Sequence, residues 1–264
     1  MAPMTTAPAA PGTDVAAPSD PWSDLVLTLP MFIGYHLGVI FLPIRNAADV
    51  VTRELVALAD HDMTAYGGLT LGVGLAFVVV LGLAGRGHAL RWQRFALIAA
   101  EGVAYAIAMR LIAGYVVGRL TLLPSAIMDS LSPVRAAAID KLTLESGSAI
   151  DGRFAGFVMS LGAGFYEELA FRVGLFGVGL KLLSVFYPAT TDLRKLVVVG
   201  SWALVTSGLF SAWHYFGALG DSFDVQSFLF RTVCGLAFVT IYGFRGFAPV
   251  VWTHCIYDLW VLVF

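Results

Sequence analysis

Nine residues, GFYEELAFR at 164–172, put Glu167, Glu168 and Arg172 inside an otherwise apolar run. A charge left alone at the centre of a bilayer costs roughly 2.5–3.5 kcal/mol, so all three must be paired or put to use. Glu168 and Arg172 stand at i, i+4 with the acid N-terminal, the better order for an ion pair on one helix face. Glu167 lies about 100° round an α-helix from Glu168 and needs a different partner. Further on, GLFSAWHYFG (208–217) carries His214 on the helical face of Phe210. PVVWTHCIYDLW (249–260) carries His254 and Asp258, again at i, i+4. One unclaimed carboxylate, two imidazoles and an aspartate on three apolar stretches form a functional set by default. A carboxylate beside an imidazole can activate water, and a second imidazole with a hydrogen-bonding neighbour can stabilise an oxyanion. That is peptide hydrolysis without a covalent intermediate. The same groups, Glu167, His214 and His254, could instead ligate a divalent metal such as zinc. Residue types alone leave both chemistries open.

The elements that must position these groups are membrane helices. Hydrophobic residues make up 58% of the 264 and charged residues 13%, against about 25% charged in a soluble domain. Mean hydropathy is +0.82. The expected fold is all-α, a polytopic transmembrane helix bundle. A net charge of −2 gives no ground for a nucleic-acid partner. Cys234 and Cys255 both lie in apolar stretches and imply no disulfide framework.

A span needs about 20 mostly apolar residues. Seven stretches qualify: 25–43, 67–85, 95–118, 154–186, 196–218, 225–243 and 247–264. The fourth is long enough for a helix that is tilted, or broken near Gly162 or Gly164. In the 120–152 loop, SPVRAAAIDKL (132–142) reads as a capped interfacial helix. Residues 1–21 are rich in Ala, Pro and Thr, and no Lys or Arg precedes Arg45. They read as a disordered tail rather than a secretory signal. Residues 22–264 then form a single transmembrane domain, with the candidate catalytic motifs in 154–264. Arg86, Arg91 and Arg94, Arg194 and Lys195, and Arg245 fall on one side under strict alternation. The positive-inside rule makes that side, and the N-terminus, cytoplasmic. Gly68/Gly72 and Gly114/Gly118 have the GxxxG spacing of close helix packing, read here as packing within the chain.

EELAFR (167–172), FSAWH (210–214) and HCIYD (254–258) resemble, in order and spacing, the EExxxR, FxxxH and HxxxN/D motifs of the CAAX-protease and bacteriocin-processing (CPBP) family of intramembrane proteases. The resemblance covers about 154–264. It implies an intramembrane endopeptidase in which Glu167 is the general base and His214 helps hold the water. His254 and Asp258 would form the oxyanion site, with Glu168 and Arg172 as a supporting pair. Asp258 stands where many relatives carry Asn, so it either bears a proton or orients His254. The family has been described both as metal-dependent and as metal-free. No cofactor is expected here, because the carboxylate–imidazole pair already supplies a base; a divalent metal is the other outcome. The expected partners are the lipid bilayer and a membrane-associated protein or peptide substrate. Prenylated CAAX tails, bacteriocin leaders and C-terminal sorting tails all qualify. The Ala/Gly/Leu/Val bias fits a high-GC bacterium and its inner membrane.

Rival signatures are weaker. HExxH is absent, and Tyr257-Asp258 with ALGD (218–221) reverses the order of an aspartyl intramembrane protease. A proton-coupled transporter or channel, with Glu101, Arg110 and Arg231 joining the Glu/His/Asp set in a relay, is the alternative function.

Overall fold

The computed structural model describes residues 21–42, 45–60, 62–84, 93–120, 149–188, 191–216 and 220–264. Among them, eight helical rods run in chain order: α1 (Pro21–Val39), α2 (Val50–Leu58), α3 (Met63–Ala84), α4 (Gln93–Leu120), α5 (149–186), α6 (Asp192–Trp213), α7 (Val225–Arg245) and α8 (Phe247–Leu262). Among the described residues there is no strand. Four helices are long and apolar enough to cross a membrane by length and composition: α4, α5, α6 and α7. α8 is apolar but shorter. α1 and α3 overlay the first two stretches expected from sequence, while α2 was not anticipated. The chain is an integral membrane protein. Residues 1–20 of the tail expected over 1–21 and the 132–142 helix lie outside the described residues; Pro21 already opens α1.

The outward faces of α4 and α6 present Leu111, Ile112 and Tyr115, and Leu196, Val197 and Leu204, all exposed as lipid-facing side chains would be. α8 is different. It packs against α1, α4, α5 and α7, and Ala248, Val250, Val251 and Cys255 are fully buried. Its first half is enclosed by the bundle, while Trp260 near its end is exposed. Its start is held from outside. Gly246 sits at φ +95°, a conformation open to glycine, and Pro249 falls in the first turn, where no donor is needed. Asp24 of α1 accepts from Phe247 N at 2.9 Å and Ala248 N at 3.1 Å, capping α8 across the fold. The preceding residue caps three of the other helices: Asp49 for α2, Thr191 for α6 and Asp224 for α7. At the head of α3, Asp62 accepts from Thr64 N and Ala65 N. These backbone donors, Ala65 foremost, hold its carboxyl below the usual carboxylate value.

α5 is neither broken nor a regular α-helix. It winds as α over Ala149–Gly162, as π over Ala163–Glu167 and Leu169–Val178, and as α again over Gly179–Phe186. π-winding inside an α-helix is rare and tends to mark functional sites. Here it spans the two glutamates and the arginine. α5 also touches α8 closely. A Cβ at Gly164 would collide with Cys255 Sγ and lie 2.9 Å from Cys255 N and 3.0 Å from Val251 O. Backbone atoms cannot rotate aside, so Gly164→Ala should cost about 1–3 kcal/mol, as overpacking does. Thermal unfolding in detergent measures it; an unchanged midpoint would refute the close-packed seam.

Two buried apolar clusters flank the π-wound stretch. One joins α1, α5 and α8 through Tyr35, Val158, Phe165, Tyr166 and Val251. The other joins α4, α6, α7 and α8 through Met109, Phe210, Phe238 and Val250. The two glutamates lie where these clusters meet.

Candidate active site

Consecutive glutamates on the π-wound stretch reach different partners. Both are buried, Glu168 completely. Glu167 Oε2 lies 3.8 Å from His214 Nε2, too far for a direct hydrogen bond. Its other oxygen, Oε1, accepts from Asn46 Nδ2 at 2.9 Å. His214 does not lie within α6, as the expected span 196–218 implied; the helix ends at Trp213 and His214 is its C-cap. There its Nδ1–H donates to Phe210 O at 2.9 Å. That bond fixes the tautomer and leaves the Nε2 lone pair facing Glu167.

Glu168 does more than the spacing implied. Arg172 Nε stands 3.0 Å from its Oε2, the expected i, i+4 pair. His254 Nδ1–H donates to its Oε1 at 2.7 Å. Glu168 therefore ties α5 to α8 and orients the His254 ring. The far nitrogen, His254 Nε2, is 3.5 Å from Asp258 Oδ2. Asp258 is only partly buried, as is His214, while His254 between them is buried.

Two phenylalanines form the floor. The Arg172 guanidinium lies 4.2 Å from the Phe210 ring centroid and 4.9 Å from that of Phe238. Cation–π contacts of this kind strengthen when desolvated. Phe238 also stacks on His254, with centroids 4.7 Å apart and 25° between planes. Phe210 meets both imidazoles edge-on, at 5.0 Å from His214 and 5.9 Å from His254. The first residue of FSAWH thus separates and aligns the two histidines.

Residues 151–260 match the family model described as Type II CAAX prenyl endopeptidase Rce1-like. Over this segment the chain is similar to that family. No curated protein and no solved structure matches the chain. The matched segment contains Glu167, Glu168, Arg172, His214, His254 and Asp258, and the contacts described above link all six, with the Phe210 ring between the two histidines. The family so described is one of endopeptidases, which act on peptides or proteins.

Two contacts escaped the sequence. Asn46 lies outside the matched segment, in the strap between α1 and α2, and nothing in its neighbours marks it. Phe238 is one of several aromatic residues on α7. Among the described residues no three His, Cys, Asp or Glu side chains converge as a metal-holding set. Asn46, Phe210 O and Glu168 each hold one atom of the conditional ligands Glu167, His214 and His254, and leave Glu167 Oε2 and the Nε2 atom of each histidine to face other groups. The residues of the alternative relay make contacts of their own. Arg245 grips Glu101 at 2.6 and 3.0 Å, Arg110 lies over Trp260, and Arg231 pairs with Asp221 at 2.6 Å.

Proposed function

We propose that this protein hydrolyses a peptide bond of a membrane-associated substrate with a water molecule held jointly by Glu167 and His214. The observation that carries the reading is the 3.8 Å between Glu167 Oε2 and His214 Nε2, both presented as acceptors. One water at about 2.8 Å from each would give an O–H to each acceptor and keep a lone pair free for a carbonyl carbon. As the new C–O bond forms, Glu167 takes one proton and the carbonyl oxygen becomes an oxyanion. Collapse of this intermediate breaks the C–N bond. The departing nitrogen takes the proton back from Glu167, leaving a carboxyl terminus and a free amine.

His254 and Asp258 would face the oxyanion. Carboxylates flank the His254 ring on both sides, which suits a ring bearing a proton on each nitrogen; Nε2–H is then the donor. Asp258 orients that ring and balances its charge. Asp258→Asn should therefore keep cleavage within about tenfold, since an amide also positions the ring. Asp258→Ala should lose roughly 10²-fold, the scale of one oxyanion-site group.

The test uses purified full-length protein in liposomes with two quenched fluorescent probes, a farnesylated CAAX peptide and a non-prenylated transmembrane peptide. Metal-free catalysis predicts cleavage of a probe with or without chelator, and the Asp258 ranking above. Cleavage that vanishes with chelator and returns with zinc would replace the water-holding pair by a metal mechanism. The proposed setting is a bacterial inner membrane with the N-terminus cytoplasmic, on the strength of composition and the arginine-bearing loops.

A further inference from the structure

We infer that Asn46 is a positioning residue of the active site, delivered by the strap between α1 and α2 from outside the matched segment. The inference rests on the proposed role of Glu167 as base. The amide has a fixed orientation. Asn46 Oδ1 accepts from Ala48 N at 2.8 Å, so Nδ2 is the end that meets Glu167 Oε1 at 2.9 Å. The backbone is fixed too: Asn46 N donates to Tyr35 Oη at 3.0 Å. Tyr35 is fully buried in α1 and Asn46 is 6% exposed. Downstream, the strap runs into Asp49, whose Oδ1 caps α2 at Thr52 N at 2.8 Å. Asn46 is thus tied to α1 behind it and to α2 ahead of it before it reaches the glutamate.

The consequence is a division of labour within one carboxylate. Glu167 Oε1 is held by the strap, and Oε2, which makes no hydrogen bond to protein, is left to face His214. Without the amide the carboxylate could rotate about its last torsion, which is broad and soft for a glutamate. The preorganisation that places a base within reach of a water would then be lost. The C-terminal segment carries every family motif, but on this reading it does not carry the whole site.

The experiment compares wild type, Asn46→Ala, Asn46→Asp and Tyr35→Phe, with Glu167→Gln as reference, on whichever quenched probe wild type cleaves and Glu167→Gln does not. Meeting that condition tests the base itself, so failure there is distinct from failure of Asn46. Asn46→Ala should lower kcat by roughly 10- to 100-fold, the scale of a hydrogen bond to a charged group, with KM within about twofold. Asn46→Asp is the sharper variant. It keeps the Oδ1 acceptor for Ala48 N but sets a carboxylate against a carboxylate, so it should be at least as slow as Asn46→Ala. Tyr35→Phe should lower kcat less, and combining it with Asn46→Ala should add little. A purely structural strap predicts the opposite order, with the isosteric Asn46→Asp near wild type and Asn46→Ala impaired through its melting temperature. That order, or wild-type kcat in both Asn46 variants, overturns the inference. Independently of activity, the infrared carboxylate band that disappears in Glu167→Gln should shift in Asn46→Ala. An unmoved band also overturns it.

Discussion

Glu167→Gln lowers kcat by about 10³-fold or more while the protein inserts, purifies and unfolds like wild type. The magnitude is that of a general base in the reacting complex, typically 10²–10⁴-fold, compounded by a changed water site. The glutamine introduced by this substitution can still accept from Asn46 through its carbonyl oxygen, so the fold around position 167 survives. Its amide nitrogen would then face His214 Nε2, the acceptor now 3.8 Å away. A donor replaces an acceptor there: the water loses the group that takes its proton, and His214 gains a partner that competes with the water. Single-turnover cleavage by detergent-purified enzyme reads the loss, and the thermal midpoint shows that folding is intact. A variant cleaving within about tenfold of wild type would remove Glu167 from the chemistry, since even a weak general base contributes more than that.

Arg172→Ala produces the largest loss of stability, about 3–5 kcal/mol, as expected when one member of a buried ion pair is removed. Glu168 would be left fully buried with only His254 opposite it, and Phe210 and Phe238 would lose the cation between them. Activity falls with stability because the same carboxylate orients His254. The double variant Glu168→Leu/Arg172→Met separates the two effects. It removes the stranded charge and should unfold at a higher temperature than Arg172→Ala. It should still be inactive, because His254 Nδ1 has lost its acceptor. Recovery of both stability and cleavage in the double variant would show that Glu168 and Arg172 have no part in holding the histidine.

The sequence made some of this legible because membranes simplify the rules. Apolar runs of span length located the helices, and charges costly in lipid singled out Glu167, Glu168 and Arg172 before any geometry was known. The i, i+4 pairing of Glu168 with Arg172 was readable because both lie on one helix, and it appears at 3.0 Å. The second partner of Glu168 was not readable, since His254 is 86 residues away and its ring could have turned to any neighbour. The π-winding of α5 has no sequence rule comparable to helical periodicity; it accompanies the close packing against α8 at Gly164. Asn46 was the least visible. Its contact with Glu167 spans 121 residues, and an asparagine before an Ala-Ala-Asp turn reads as a loop former. The apolar run continues past Trp213, where the helix stops, so hydropathy alone carries the span beyond His214.

The claim on which the rest depends is that Glu167 and His214 act on one water. A double-mutant cycle tests it most directly. Single-turnover rate constants would be measured for wild type, Glu167→Gln, His214→Ala and the double variant, on the same probe and in the same liposomes. Two groups serving one water fail together, as residues that act as a unit do, so the double variant should be no slower than the slower single. Rate losses that multiply would mean that the two side chains act independently, and would contradict the shared water.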